Sequence, residues 1–338
     1  MKKIKSAFKI ILFLIIFSVI FSYLSELFSR KALEGTWNNT QKTAGFYNAQ
    51  KNEFDIIFFG SSNTYCSFNP LVLYDESGGV KSYVFATQQQ PVWASYAYMK
   101  DALKTQTPKL MVLDVLMFSQ SEEYYDDGVN YSFMDDMPFS KNKVELAFAS
   151  APPKEALMLL INFIKYHSRW SELTQEDYTF KRSEAFDYLR GYTLLEETAS
   201  DALPPDGATD ESAPLGKKQA LYLDKIIKLA KRENIPMLFV KAPSNERLSE
   251  QKYYNEAEKI CKENNIDFID YNRLYDDIGL VMTEDFYDKS HLNYKGAEKF
   301  TRYFWHDIKN RYSIVPGEKS DDWQKDFEKY KSYISQIT

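Results

Sequence analysis

FFGSSNTYCSF, residues 58–68, follows a short apolar run that begins at Asp55 and ends at Gly60. The run reads as a buried strand, and glycine then allows a tight turn close to neighbouring backbone. Two small hydroxyl residues, Ser61 and Ser62, come next. A serine where a strand turns into a helix lies at the carboxyl end of a sheet, where α/β ligands bind. Its own N–H can help to hold an oxyanion. Serine hydroxyls also cap helix N-termini, so the turn alone leaves capping and catalysis both open.

The surrounding pattern supplies the rest of a sheet. SYVFAT, 82–87, and KLMVLDVLMF, 109–118, are further strand-like runs. Between them, WASYAYMKDALKTQ, 93–106, has helical spacing at Tyr96, Met99 and Leu103. After residue 217 the rhythm resumes. A helix face at Leu223, Ile226, Ile227 and Ala230 precedes a strand in MLFVKAPS, 237–244. A helix at 253–264, the strand IDFIDY at 266–271 and a helix from Gly296 to Asn310 follow. Strands alternating with helices predict an α/β fold with a parallel sheet. Residues 119–200 break the alternation and read as a helical insertion. Residues 201–216 carry three prolines and two glycines and predict an exposed, mobile loop. These readings place one α/β domain at 53–315. Trp323, Phe327, Tyr330 and Ile334 predict an amphipathic helix within 316–338 that docks onto it.

The first thirty residues differ in kind. Lys2, Lys3, Lys5 and Lys9 precede an uncharged run from Ile10 to Ser25. A spanning helix needs about 20 apolar residues, and lysine side chains can snorkel to extend a shorter span. No small-residue cleavage site follows, so residues 1–30 read as an uncleaved signal anchor rather than a cleaved signal peptide. The excess of positive charge before the span places the N-terminus in the cytoplasm and the remainder outside, a single-pass, extracytoplasmic arrangement in the cell membrane. Residues 31–52 are polar and read as a spacer. Net charge is −6, with no clustered basic face for nucleic acid. Twenty-five Tyr and 24 Phe predict an aromatic core rather than a sugar-stacking surface. Cys66 and Cys261 match no zinc pattern, and no metal or organic cofactor is implied.

A partner for the serines lies far along the chain, in DFYDKSHLNYKGAEKF, 285–300. A serine hydroxyl is a weak nucleophile without a base, and the base needs an orienting carboxylate. Asp288 and His291, three apart, let the carboxylate reach the ring locally. An Asp–His surface turn is the plain alternative. GSS after an early apolar strand, with DKSH and LNYKGA near the end, resembles the SGNH/GDSL-type hydrolase superfamily over roughly residues 50–310. The closer likeness is to its membrane-anchored envelope branch, which includes the D-alanine transfer protein of teichoic acid synthesis and acetyl-transfer proteins of alginate-type polysaccharides.

The resemblance implies a flavodoxin-like three-layer α/β/α fold. It makes Ser62 the nucleophile, with Ser61 the second choice, His291 the base and Asp288 its orienter. Where the family carries an oxyanion glycine, ATQQQP (86–91) puts Gln89, with Gln90 beside it. A backbone N–H or a glutamine amide would have to serve there, since the G-x-N-D block is absent. The implied activity is that of a serine esterase or O-acyltransferase acting on acyl groups of envelope polysaccharide. The implied partners are an acylated glycan or acyl donor and a multi-spanning membrane O-acyltransferase. A non-catalytic protein of the same fold, binding glycan or such an acyltransferase, is the other reading. His167, Arg169 and Trp170 in the insertion are candidate sugar or phosphate contacts, or a packed helix end. Asn293 is a further substrate-binding candidate. His306 reads as structural, and Cys66 as a poorer nucleophile than Ser62.

Overall fold

The computed structural model describes residues 2–33, 37, 39–199, 209–245 and 247–337. Five parallel strands form one sheet: β1 (Ile56–Phe59), β2 (Ser82–Val84), β3 (Leu110–Asp114), β4 (Met237–Lys241) and β5 (Asp267–Asp270), in the order β2-β1-β3-β4-β5. This is the flavodoxin-like 2-1-3-4-5 order. Phe58 pairs with Val84 on one side and Val112 on the other. The three inner strands and edge strand β2 are buried, as continuous apolar runs in a parallel sheet require. Edge strand β5 is only partly covered.

Helices Val92–Ala102 and Lys217–Glu233 pack together, as do Pro70–Ser77 and Tyr294–Ile308. Right-handed crossovers put the first pair on one face and the second on the other, which makes three layers. The strand expected at 109–118 stops at Asp114. The Asp114 carboxylate accepts hydrogen bonds from the N–H groups of Leu116 and Ala242, and a short helical turn follows at Leu116–Ser119. The helix expected at 253–264 begins at Leu248, where the Glu250 carboxylate reaches back to accept from the Arg247 N–H.

The insertion holds short helices at Asp127–Met134, Lys141–Ser150, Pro153–Leu159, Asn162–Tyr166 and Gln175–Thr179. The core is aromatic: Phe46, Phe58, Phe59, Tyr65, Tyr74, Trp93, Tyr98 and Tyr192 are fully buried. In the helix Asp321–Ile337, Trp323, Phe327 and Tyr330 are buried, and the helix packs against Pro70–Ser77.

Two segments depart from expectation. Residues 31–52 are not merely a spacer: Thr40–Asn48 is a helix capped by Asn39, and it buries Lys42, Ala44 and Phe46. The Phe46 ring stacks on Phe85 at 3.8 Å, and Tyr83 Oη donates to the Lys42 carbonyl. Of the expected mobile loop 201–216, residues 201–208 lie outside the described residues. The remainder is held down, because Asn255 and Arg273 both donate to the Thr209 carbonyl, and Ala213 N–H donates to Lys252.

Helix Lys2–Phe28 leads the chain, and its segment Ile4–Phe28 is long and apolar enough to cross a membrane. At 1.5 Å per residue it spans about 37 Å, against about 30 Å of hydrocarbon.

Candidate active site

Gly60 ends β1 with φ +149°, and a Cβ there would sit 2.0 Å from Thr64 Oγ1. Only glycine fits, and the chain can then turn at once into helix Ser62–Ser67. Ser61 is the N-cap, but its side chain makes no capping bond and is buried. Ser62 occupies the first helical position. Its N–H has no acceptor within the helix. The turn stands at the carboxyl ends of β1 and β3, where the strand order reverses, the usual ligand crevice of such a sheet.

The second segment is shaped separately. Asn293 caps helix Tyr294–Ile308 through the N–H groups of Lys295 and Gly296. Gly296 is required because a Cβ would stand 2.2 Å from the Asp285 carbonyl. Phe286 and Leu292 form an antiparallel bridge, and Tyr287 N–H donates to the His291 carbonyl. Residues 287–291 therefore close a tight loop. Asp288 Oδ1 accepts from the N–H groups of Ser290 (2.7 Å) and His291 (2.9 Å). Both carboxylate oxygens also lie 2.9 Å from His291 Nδ1. Burial opposes the Asp288 charge, but the His291 ring and these two N–H groups hold its carboxyl below the usual range.

The two segments meet: His291 Nε2 is 2.9 Å from Ser62 Oγ. A serine hydroxyl, an imidazole and a carboxylate are thus in one hydrogen-bonded line, the arrangement that a nucleophile, its base and an orienting group would need. Asn63, which the sequence reading passed over, ties them together. It donates from Nδ2 to the carbonyls of Ser290 (3.0 Å) and Pro243 (3.3 Å). Asn245 N–H holds the Lys289 carbonyl from the β4 side. An Asn directly after the serine, itself a poor helix former, was the available signal.

Trp37 was also missed, because it lay in the supposed spacer. Its ring centroid is 5.0 Å from that of His291, and it packs on Tyr65 and Tyr287. It covers the imidazole and lines a polar cavity of about 90 Å³ with Arg30, Lys42, Thr87, Asp135 and Tyr166. Lys42 Nζ lies over the Tyr65 ring at 4.9 Å and donates to Thr193 Oγ1. Burial pushes that ammonium down, with Asp187 opposing.

The other expected residues fall elsewhere. The Gln90 amide is committed, with Oε1 accepting from Thr87 Oγ1 and Nε2 donating to Ser95 Oγ. One of the two N–H donors of its side chain is thereby used. Gln89 is exposed in a turn at φ +48° beyond β2. Arg169 donates to the Phe28 carbonyl and pairs with Asp177, while His167 Nδ1 meets the Ile164 carbonyl. Arg169 thus ties the insertion to the N-terminal helix, His167 is held within its own segment, and Trp170 beside them is exposed. Asn293 is fully buried and spends both ends of its amide on structure, with Nδ2 donating to Thr198 Oγ1 and the Glu284 carbonyl. His306 pairs with Glu76. Cys66 and Cys261 are both free and buried, and burial pushes the Cys66 thiol up, away from a reactive thiolate.

Comparison with known proteins gave three kinds of result. A protein-family model matches residues 210–313, less than half of the chain. No curated protein matches. Among solved structures, the chain is similar to a protein from Desulfitobacterium hafniense DCB-2 provisionally described as lipolytic and of the G-D-S-L family. That match has 11% identity and a TM-score of 0.39, covering 74% of this chain and 97% of the other. It is also similar to a protein from Bacteroides fragilis NCTC 9343 provisionally described as an acylhydrolase, with 12% identity and a TM-score of 0.40, covering 82% and 100%. A third is a gut microbial diltiazem-metabolizing enzyme, with 14% identity and a TM-score of 0.29, covering 79% of this chain and 49% of that one.

Proposed function

We propose that this chain is a membrane-anchored, extracytoplasmic serine esterase or O-acyltransferase of the SGNH type. The observation that carries the reading is the line Ser62 Oγ, His291 Nε2, His291 Nδ1, Asp288, with every contact at 2.9 Å. Ser62 Oγ attacks an acyl carbonyl while His291 takes its proton, and Asp288 stabilises the imidazolium. The oxyanion accepts from Ser62 N–H at the helix start. The second donor is the Gln89 backbone N–H or the second N–H of the Gln90 amide, whose first goes to Ser95 Oγ. Collapse returns the proton from His291 to the leaving group and leaves an ester on Ser62. Water or a glycan hydroxyl, deprotonated by His291, then attacks that ester and releases Ser62.

The likeness of GSS and DKSH–LNYKGA to the envelope branch supports acyl groups of cell-envelope polysaccharide as the substrate class, and a multi-spanning membrane O-acyltransferase as partner. The apolar helix Ile4–Phe28 supports membrane anchoring. The glutamines that stand where an oxyanion glycine is expected favour a second reading, a non-catalytic protein that binds glycan or such an acyltransferase. A fluorophosphonate serine probe, applied to the detergent-solubilised full chain, separates the two. Labelling lost in Ser62→Ala and His291→Ala but kept in Ser61→Ala supports catalysis. A folded chain that takes no label overturns it in favour of binding.

A further inference from the structure

The segment Leu157–Ile164 reads LMLLINFI, apolar but for Asn162. Leu159 is buried, yet Leu157 and Met158 are about half exposed (56% and 47%). Ile164 is partly open, and Trp170, six residues on, is 73% exposed. An apolar patch on the outside of a folded domain marks a surface with a partner.

What lies beside the patch identifies the partner. The Phe163 ring packs edge-on against both Phe21 and Phe28 of the N-terminal helix, each at 5.6 Å. Phe163 N–H donates to Ser25 Oγ, Asn162 Nδ2 to Ser29 Oγ (2.6 Å), and Arg169 to the Phe28 carbonyl (2.8 Å). Arg182 pairs with Glu26 and donates to the Arg30 carbonyl. Residues 162, 163 and 169, which lie within this stretch, are therefore fixed at the height of residues 21–30 of the helix. About 30 Å of hydrocarbon is crossed by about 20 helical residues. A core that begins at Ile10, after the lysines, ends near residue 29, and one that begins as early as Ile4 ends near residue 24. That is the height of Phe163. Exposed Trp170 and Tyr178, with Ile164 and Leu157, then sit where aromatic belts and interfacial helices sit.

We infer that the apolar face of residues 157–170 beds in the headgroup and upper acyl layer of the bilayer crossed by the N-terminal helix, and so holds the domain on the membrane surface. This inference rests on the anchoring reading above.

The test uses the full chain in phosphatidylcholine vesicles containing a lipid with a nitroxide high on its acyl chain. An environment-sensitive fluorophore is attached at Leu157→Cys or Trp170→Cys. Both native cysteines are buried. Phe17→Cys reports the anchor. Lys228→Cys, exposed near the end of the helix leading into β4, reports a solvent-facing position outside this segment. Loss of fluorescence at 17, 157 and 170, with none at 228, is expected. Loss at 17 alone overturns the inference and leaves the anchor standing. No loss at 17 overturns the anchor, and the inference with it. If positions 157 and 170 keep their fluorescence in vesicles but are shielded from an aqueous quencher in native membranes, the face belongs to a protein partner and the inference falls.

Discussion

Replacing Asp288 by Asn isolates the orienting carboxylate from the loop it holds. Oδ1 takes both loop N–H groups and Oδ2 takes none of them, while each oxygen is 2.9 Å from His291 Nδ1. In Asp288→Asn the amide oxygen keeps the two backbone bonds, and the NH₂ group must replace Oδ2. It then donates to Nδ1, which stabilises the tautomer with its proton on Nε2. That Nε2–H points at Ser62 Oγ as a donor and no longer accepts its proton. An analogous exchange in a serine triad costs about 10⁴-fold, equivalent to about 5 kcal/mol of barrier. The fold should hardly notice, since no loop hydrogen bond is lost. Second-order rate constants for fluorophosphonate labelling, with melting temperatures alongside, provide the assay. A drop of about 10³ to 10⁴ at an unchanged melting temperature is expected. Labelling within tenfold of the parent would refute the tautomer argument and with it the role given to Asp288.

Gly60→Ala places a Cβ against Thr64 Oγ1 at positive φ. It should destabilise by about 1–3 kcal/mol from backbone strain alone, seen as a lower denaturation midpoint, and Thr64→Ala added to it should recover part of the loss. Asn63→Ala leaves the Ser290 and Pro243 carbonyls without their donor, for about 1–3 kcal/mol in loop order, and should slow labelling about tenfold per 1.4 kcal/mol. Trp323→Ala removes a fully buried ring packed on Tyr74 and under the Arg190 guanidinium. It should cost about 3–5 kcal/mol in chemical denaturation, and an unchanged midpoint would mean that the C-terminal helix is only loosely attached. Burial, with the Lys165 cation nearby, pushes the Lys143 ammonium down to about 8. Between that and the unfolded value of about 10.4, the unfolded chain holds a proton that the folded chain has released, so stability rises with pH across this window. The parent should gain up to about 3 kcal/mol on Lys143→Met between pH 7.5 and 10.5, measured by denaturant titration, and a constant difference would contradict the assignment.

Much of this was legible from local pattern. The strand before Gly60 and the Asp288–His291 spacing carry their meaning within a few residues. The strand–helix alternation was equally local, so the sheet and the three central side chains could be read directly. What escaped depends on distant partners. Thr40–Asn48 looks polar, yet Lys42 is buried because Thr193 accepts from it and the Tyr65 ring faces it. Trp37 meets His291 from a segment with no periodicity of its own. Gln90 was legible as a polar residue near the site, but not as one whose amide Thr87 and Ser95 already occupy. Asn293 could have been read differently: an Asn immediately before an apolar-periodic helix is first of all a cap.

Ser62 and His291 touch across a separation of 229 residues. The chain is synthesised from its N-terminus, so the proposed nucleophile emerges long before its proposed base. At roughly 5–20 residues per second, the interval is about 10–45 s. Throughout that time Ser62 is an ordinary hydroxyl, whatever esters surround it. Activation comes only when the final strand is paired and the loop after it has been pinned by Asn63. On the proposed mechanism the serine is thus an assembly checkpoint, and only a chain that has completed its sheet would carry a chemically competent one.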